Sequence, residues 1–182
     1  FIVADISSNS VDILIEDGKI KGAIDACLGA MGVVHGPLDL EMLREIDEND
    51  ASANDCFSHA GAIKIAGIDG KVADMKNQLL LNYKNGDEKA KLAIDTLIMT
   101  VAMEIAGLDV VCENDIEGIV LTGSIGSATE PFDFADEINK YFKGKYPLKI
   151  ISAESGAIGA AQIAMDVYNG KKEILGIDVN IS

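Results

Sequence analysis

The sequence predicts an α/β domain whose mixed sheet joins an antiparallel hairpin to parallel strands, with helices on its faces. Two observations carry this reading. The chain opens on a run of alternating strands and closes on a strand–helix–strand–helix series, and a long apolar helical stretch links the two. Phe1 to Asp5 is an apolar run, and Ser7, Ser8 and Asn9 form a polar turn. Val11, Ile13 and Ile15 then alternate with Asp12, Leu14 and Glu16, Asp17-Gly18 is a strong hairpin signal, and Lys19 to Ile24 reads as a third strand.

A loop with Gly29, Gly32, Gly36 and Pro37 follows. Asp39 is placed to cap a helix through about Ile46, a second helix is expected near Asn54 to Ile65, and a third over Val72 to Tyr83 with Asn85-Gly86 as its stop. Lys89 to Leu108 is the longest helical pattern. Its middle (Leu97, Ile98, Met99, Val101, Ala102, Met103) is nearly all apolar, which predicts burial on more than one side, in the core or in an interface. Ile116 to Thr122 reads as a strand running into Gly123-Ser124-Ile125-Gly126, Phe132 to Phe142 as a helix, and Leu148 to Ser152 as a strand. Ser155 to Tyr168 reads as an Ala- and Gly-rich helix, slim enough to pack closely on the sheet. No internal repeat or low-complexity linker is visible.

The 182 residues are 48% hydrophobic, enough for one core. No stretch of roughly 18 apolar residues is free of charge, so no membrane-spanning helix is expected. No basic start and apolar h-region mark a signal peptide. The net charge of −15 disfavours nucleic acid and anionic membrane as partners. Lys and Arg together number 15, and Arg44 is the one arginine, although Arg is the usual bidentate clamp on phosphate. Cys27, Cys56 and Cys112 form no CxxC pair and are expected as reduced, mostly buried thiols of a cytoplasmic protein. With only His35 and His59 to supplement them, a zinc site is not expected.

Three turns could carry chemistry. At Ala4-Asp5-Ile6-Ser7-Ser8-Asn9-Ser10, successive backbone N–H groups and the Ser and Asn side chains could face an anion, and Asp5 could orient water around a magnesium ion. An ordinary hairpin turn accounts for the same residues. At Leu121 to Ser127, the Gly-rich strand end would let a ligand approach the backbone, and a plain strand-to-helix turn explains it as well. At Ser152 to Gly156, Glu154 or Ser155 is expected to cap the following helix. His35 and His59 sit among small or apolar residues and read as structural.

Taken in order, these pieces resemble the second lobe of the acetate and sugar kinase, Hsp70 and actin superfamily, and within it acetate kinase and especially butyrate kinase. ADISSNSVDILIEDGKI resembles the phosphate-binding hairpin, Asp25-Ala26-Cys27-Leu28-Gly29 the segment after it, and NGDEKAKLAIDTLIMTVAMEIAGL the central helix. IEGIVLTGSIGS resembles the adenosine-binding turn and ESGAIGAAQIAMDVYNGKKE the closing helix. The resemblance implies a ribonuclease H-like lobe, residues 1–182, of a two-lobed protein whose N-terminal lobe lies outside this chain. That protein would bind ATP or ADP with Mg²⁺ between the lobes and could pair as a homodimer. It further implies that Ser7, Ser8 and Asn9 approach the phosphates and that Gly123, Ser124, Ile125 and Gly126 approach adenosine. Many members carry Gly where Ser124 stands. Acyl-phosphate-forming members carry an arginine in the loop after the hairpin, where this chain reads Gly32-Val33-Val34-His35-Gly36-Pro37-Leu38-Asp39. Such a charge stabilises a transferring phosphoryl group. The departure leaves two functions in play: a kinase-like or ATPase protein, or a catalytically silent assembly or regulatory protein on the kinase fold. In this respect the chain is similar to the archaeal methanogenesis marker protein 12 family.

Overall fold

The computed structural model describes residues 1–180. Strands β1 (Ile2–Ile6), β2 (Ser10–Glu16) and β3 (Lys19–Asp25) form the expected antiparallel meander. Its second turn is Asp17-Gly18, with φ of 50° and 74° at the two residues. Strands β4 (Ile119–Thr122) and β5 (Leu148–Ile150) add in parallel on the other side of β1, giving the order β3-β2-β1-β4-β5. This is the mixed sheet with flanking helices that the ribonuclease H-like expectation describes.

One face of the sheet is dry. Ile2, Ala4 and Ile6 of β1, Leu14 of β2, and Ile119 and Leu121 of β4 are fully or almost fully buried. Those of β1 and β2 lie beneath the central helix α5 (Glu88–Val111), which touches β1, β2 and β3. Asp87 caps α5 by accepting from the Ala90 amide at 2.8 Å. Leu97, Ile98, Val101 and Ala102 are buried, so the apolar middle of this helix is core, while Met99 and Met103 on its outer side are exposed. Each fully buried Ile or Leu contributes about 1.5–3 kcal/mol.

Helix α1 (Leu40–Glu48) is capped by Asp39, which accepts from Met42 N at 3.0 Å, and α4 (Val72–Lys84) ends at Asn85-Gly86 as expected. The single helix expected at 54–65 is instead two, α2 (Ala53–Phe57) and α3 (Ala62–Ala66). The break is caused by docking. Gly61, Ala62 and Ile63 donate to Val34, Gly32 and Val33 carbonyls at 2.9, 3.0 and 3.0 Å, bonds a continuous helix would forfeit. Helix α6 (Gly123–Gly126) is one turn, and α7 (Phe134–Phe142) is capped by Asp133.

Helix α8 (Ser155–Tyr168) has the expected bounds and an unexpected environment. None of its residues is buried; Ile158, Ile163, Met165 and Tyr168 are exposed, Tyr168 to 86%. Its slim Ala/Gly surface is not pressed onto the sheet. Its C-terminal half instead borders a small apolar hollow with Ile20 and a hairpin that the sequence did not announce, β6 (Glu173–Ile174) and β7 (Ile177–Asp178). The expected cap also differs: Glu154 makes no side-chain cap bond, and the Ser152 hydroxyl accepts from the Glu154 amide at 3.2 Å. Cys27 is exposed and Cys56 and Cys112 are half-buried, so the thiols are less covered than expected, and all are free. Among the described residues no helix is long and apolar enough to cross a membrane.

Candidate functional site

The site forms where β1 and β4, running in parallel, both end. The β1–β2 turn and the β4–α6 turn are separated by more than a hundred residues, yet one hydroxyl joins them. Ser7 Oγ accepts from the Ser124 amide at 2.9 Å and lies 3.4 Å from Asp5 Oδ1. The approach is close because Gly123 has no side chain. A Cβ there would stand 2.4 Å from Ile6 O, 2.4 Å from Asp5 Oδ1 and 2.7 Å from Ser7 Oγ, and the residue has φ of +85°. Thr122, buried before it, donates to Ser152 O at 3.0 Å, tying the ends of β4 and β5 together.

The β1–β2 turn is shaped from behind. Val33 donates to Ser7 O, and Val34 and His35 to Ser8 O, at 3.0, 3.0 and 2.9 Å. Gly32 fits against the Ser8 and Asn9 backbone so tightly that its Cβ would lie 2.3 Å from Ser8 O. The Ser7 amide is used within the turn, donating to Asn9 O at 2.7 Å. The amides of Ser8 and Asn9 donate to no protein group among the described residues. A cavity of about 330 Å³ opens beside them, lined by Asp5, Ser7, Ser8, Asn9, Val11 and His35. Free amides, hydroxyls and a carboxamide around a solvent-open hollow form a surface suited to phosphate oxygens.

The residues singled out in the sequence therefore meet at one end of the sheet, with a qualification for the second turn. Ile125 is fully buried and its side chain belongs to the core, Gly123 and Gly126 are covered, and Ser124 is the exposed member. Asp5 is exposed at the cavity, where one carboxylate with room for water fits magnesium, an ion that keeps several waters and takes few protein ligands. Among the described residues no cluster of three or more His, Cys, Asp or Glu could hold a metal ion.

Two groups near the turns were not legible as site residues. His35 lines the cavity, with its ring stacked on Phe57 at 4.7 Å and 22°, and burial holds its imidazole below the usual histidine range. Lys76, from the middle of α4, reaches within 3.5 Å of Ser124 O, and burial lowers its ammonium from the usual lysine range. His59 is held by its Nδ1 contact to Asp55 O at 2.8 Å and does not line the cavity. Arg44 pairs with Glu41 at 2.7 Å on α1 and does not line it either.

Beneath the turn lies a buried carboxyl pair. Asp12 on β2 and Glu104 on α5 are both buried, and Glu104 Oε1 accepts from the Ala30 amide. Among the described residues, both Asp12 oxygens and Glu104 Oε2 have no hydrogen-bond partner. Burial first, and the facing Glu104 second, raise the Asp12 carboxyl well above the usual carboxylate range.

The fold is similar to part of the fold of solved acetate and propionate kinases. It is similar to an Entamoeba histolytica acetate kinase with a TM-score of 0.71 and 14% identity, covering 92% of this chain and 50% of that one. It is likewise similar to a Francisella tularensis propionate kinase, with a TM-score of 0.64 and 18% identity over 83% of this chain and 45% of that one. At such identities the likeness establishes the fold. No protein-family profile matches the chain. By sequence it is similar to the UPF0285 proteins of methanogens. One from Methanothermobacter thermautotrophicus is 54% identical over 180 residues, covering 99% of this chain, and one from Methanocaldococcus jannaschii is 47% identical over 179 residues, covering 98%. The chain spans about half the length of these relatives, 54% of each.

Proposed function

We propose that this chain is the nucleotide-binding lobe of a kinase-like or ATPase protein that closes on ATP or ADP and Mg²⁺ in the cytoplasm. The observation that carries the reading is the bridge between the two turns. Ser7 Oγ holds the Ser124 amide, and this sets the free Ser8 and Asn9 amides beside the end of β4. Ser8 and Asn9 would take the phosphates, Ser124 and the covered backbone of Gly123, Ile125 and Gly126 would border the adenosine, and Lys76 would close that side. Asp5 would hold magnesium through water. The likeness in fold to acetate and propionate kinases supports the reading. The other half of the relatives' length would supply the opposing lobe and the acceptor site, and closure between the lobes would exclude water. The exposed apolar surface of α8 is available to that lobe or to a second copy of this chain.

A second reading has its own observation. The one arginine is engaged with Glu41 outside the site, so no guanidinium of this chain meets a transferring phosphoryl group. A protein of this kind could bind nucleotide and act in assembly or regulation, as a relative of the methanogenesis marker protein 12 family. Calorimetric titration of Mg–ATP into the chain joined to its relatives' other half tests the first part of the proposal. Binding that Ser8→Glu weakens at least tenfold supports the site, and a well-folded protein that takes up no nucleotide refutes it. Phosphate release or transfer after binding then separates enzyme from silent binder.

A further inference from the structure

His35 is the one side chain lining the phosphate-side cavity that can become positively charged. It is placed with care: its own amide and those of Val33 and Val34 are bonded to the turn, and Phe57 stacks on its ring. Nδ1 is turned inward and bonds no protein group among the described residues, so Nε2 is the nitrogen the ring can offer. We infer that His35 takes up a proton from solvent when a phosphate-bearing ligand enters and donates Nε2–H to a phosphate oxygen. It would thereby supply a positive charge that the rest of this cavity's lining lacks. The inference rests on the reading that the Ser7 to Asn9 turn receives phosphates.

The surroundings agree with such a role. Asp5 is the other ionisable group lining the cavity, and its carboxylate would repel a phosphate that neither magnesium nor a cation accompanied. On α2, which packs against the ring, Asp55 is exposed and forms no ion pair, and Cys56 is half-buried with its thiol directed to Met42 O. Lys64 of α3 is engaged by Asp39. Among the described residues no carboxylate pairs with the imidazole, and burial lowers its pKa, offset in part by the backbone carbonyl of Ser8. An arriving phosphate is the partner that reverses this balance. Linkage then requires affinity to rise as the pH falls, by up to about tenfold per pH unit over the range in which one proton is taken up.

The test uses the chain joined to its relatives' other half, with Mg–ADP and inorganic phosphate as probes. Calorimetry from pH 6 to pH 8 in buffers of different ionisation heat measures proton uptake, and proton NMR follows the His35 ring. Wild type should take up a substantial fraction of a proton, beyond that taken by His35→Gln. The His35 resonances should shift on ligand binding, and the Gln variant should bind with a flatter pH profile. The nucleotide's own protonation is common to both proteins and cancels in the difference. Equal uptake in the two proteins, or a His35 resonance that ligand leaves unmoved, overturns the inference. Ligand that shifts the Ser8 and Asn9 amides but not His35 removes this inference and leaves the binding site standing; no binding at all removes both. The resonance measurement needs no variant, so a substitution that unsettles the loop does not protect the inference.

Discussion

Replacing Gly123 with alanine should damage both the fold and the site, and the structure gives the size of the effect. Gly123 sits at φ +85°, where a non-glycine residue costs about 1–2 kcal/mol. The added Cβ would also stand 2.4 Å from Ile6 O, a backbone atom at the end of the central strand that cannot turn aside. Relief requires α6 to part from β1, which resembles overpacking and adds about 1–3 kcal/mol. The total of about 2–5 kcal/mol corresponds to a fall in Tm of roughly 4–20 °C for a chain of this size. Gly86→Ala is the control, because Gly86 has φ +81° and open space where the Cβ would go. It should cost only the conformational part, a Tm fall of roughly 2–8 °C. Thermal unfolding by circular dichroism of both variants beside the wild type makes the comparison. Equal losses in the two variants would refute the close approach of the two turns on which the site depends.

Three further outcomes are expected. Leu97→Ala, at a fully buried position on α5, should cost about 2–5 kcal/mol in denaturant unfolding. A loss below 1 kcal/mol would show that α5 is not the centre of the core. Asp12→Asn should flatten the pH dependence of stability. Because the folded state raises the Asp12 pKa, the stability it contributes is fully present below the unfolded value near pH 4 and is lost as pH rises towards the folded value. The variant should therefore gain on the wild type as the pH rises above about 4, and parallel curves would contradict a raised Asp12 pKa. Asp5→Asn, exposed at the cavity, should leave Tm nearly unchanged while reducing magnesium's contribution to nucleotide affinity by roughly tenfold. An unchanged magnesium dependence in titrations with and without the ion would remove Asp5 from the site.

Much of the architecture was legible because it is local. Alternation set β1 to β3, Asp17-Gly18 set their turn, and Asp39 and Asn85-Gly86 marked helix ends that lie where short-range chemistry puts them. The failures are tertiary. A continuous helix over residues 54–65 satisfies local propensity, but the chain trades it for bonds to the Gly32–Val34 backbone. Small residues along α8 show that close packing is sterically allowed, and cannot show against what; the helix stays uncovered. The site divides in the same way. Each turn could be read from its glycines and serines, but the hydroxyl that joins Ser7 to Ser124 spans 117 positions. The resemblance put the Gly32 to Asp39 loop on the phosphate side but gave His35 no role there, nothing near Lys76 in sequence placed it beside the turns, and Asp12 and Glu104, on different elements, gave no sign that they face each other.

The most direct measurement is amide NMR of the chain, joined to its relatives' other half, during titration with Mg–ADP. The account predicts saturable shifts concentrated at the amides of Ser8, Asn9 and Ser124, with residues at the far end of the sheet such as Asp17 and Gly18 unmoved. Binding that leaves the Ser7 to Asn9 and Gly123 to Gly126 amides unchanged, or no binding by the folded protein, would contradict it.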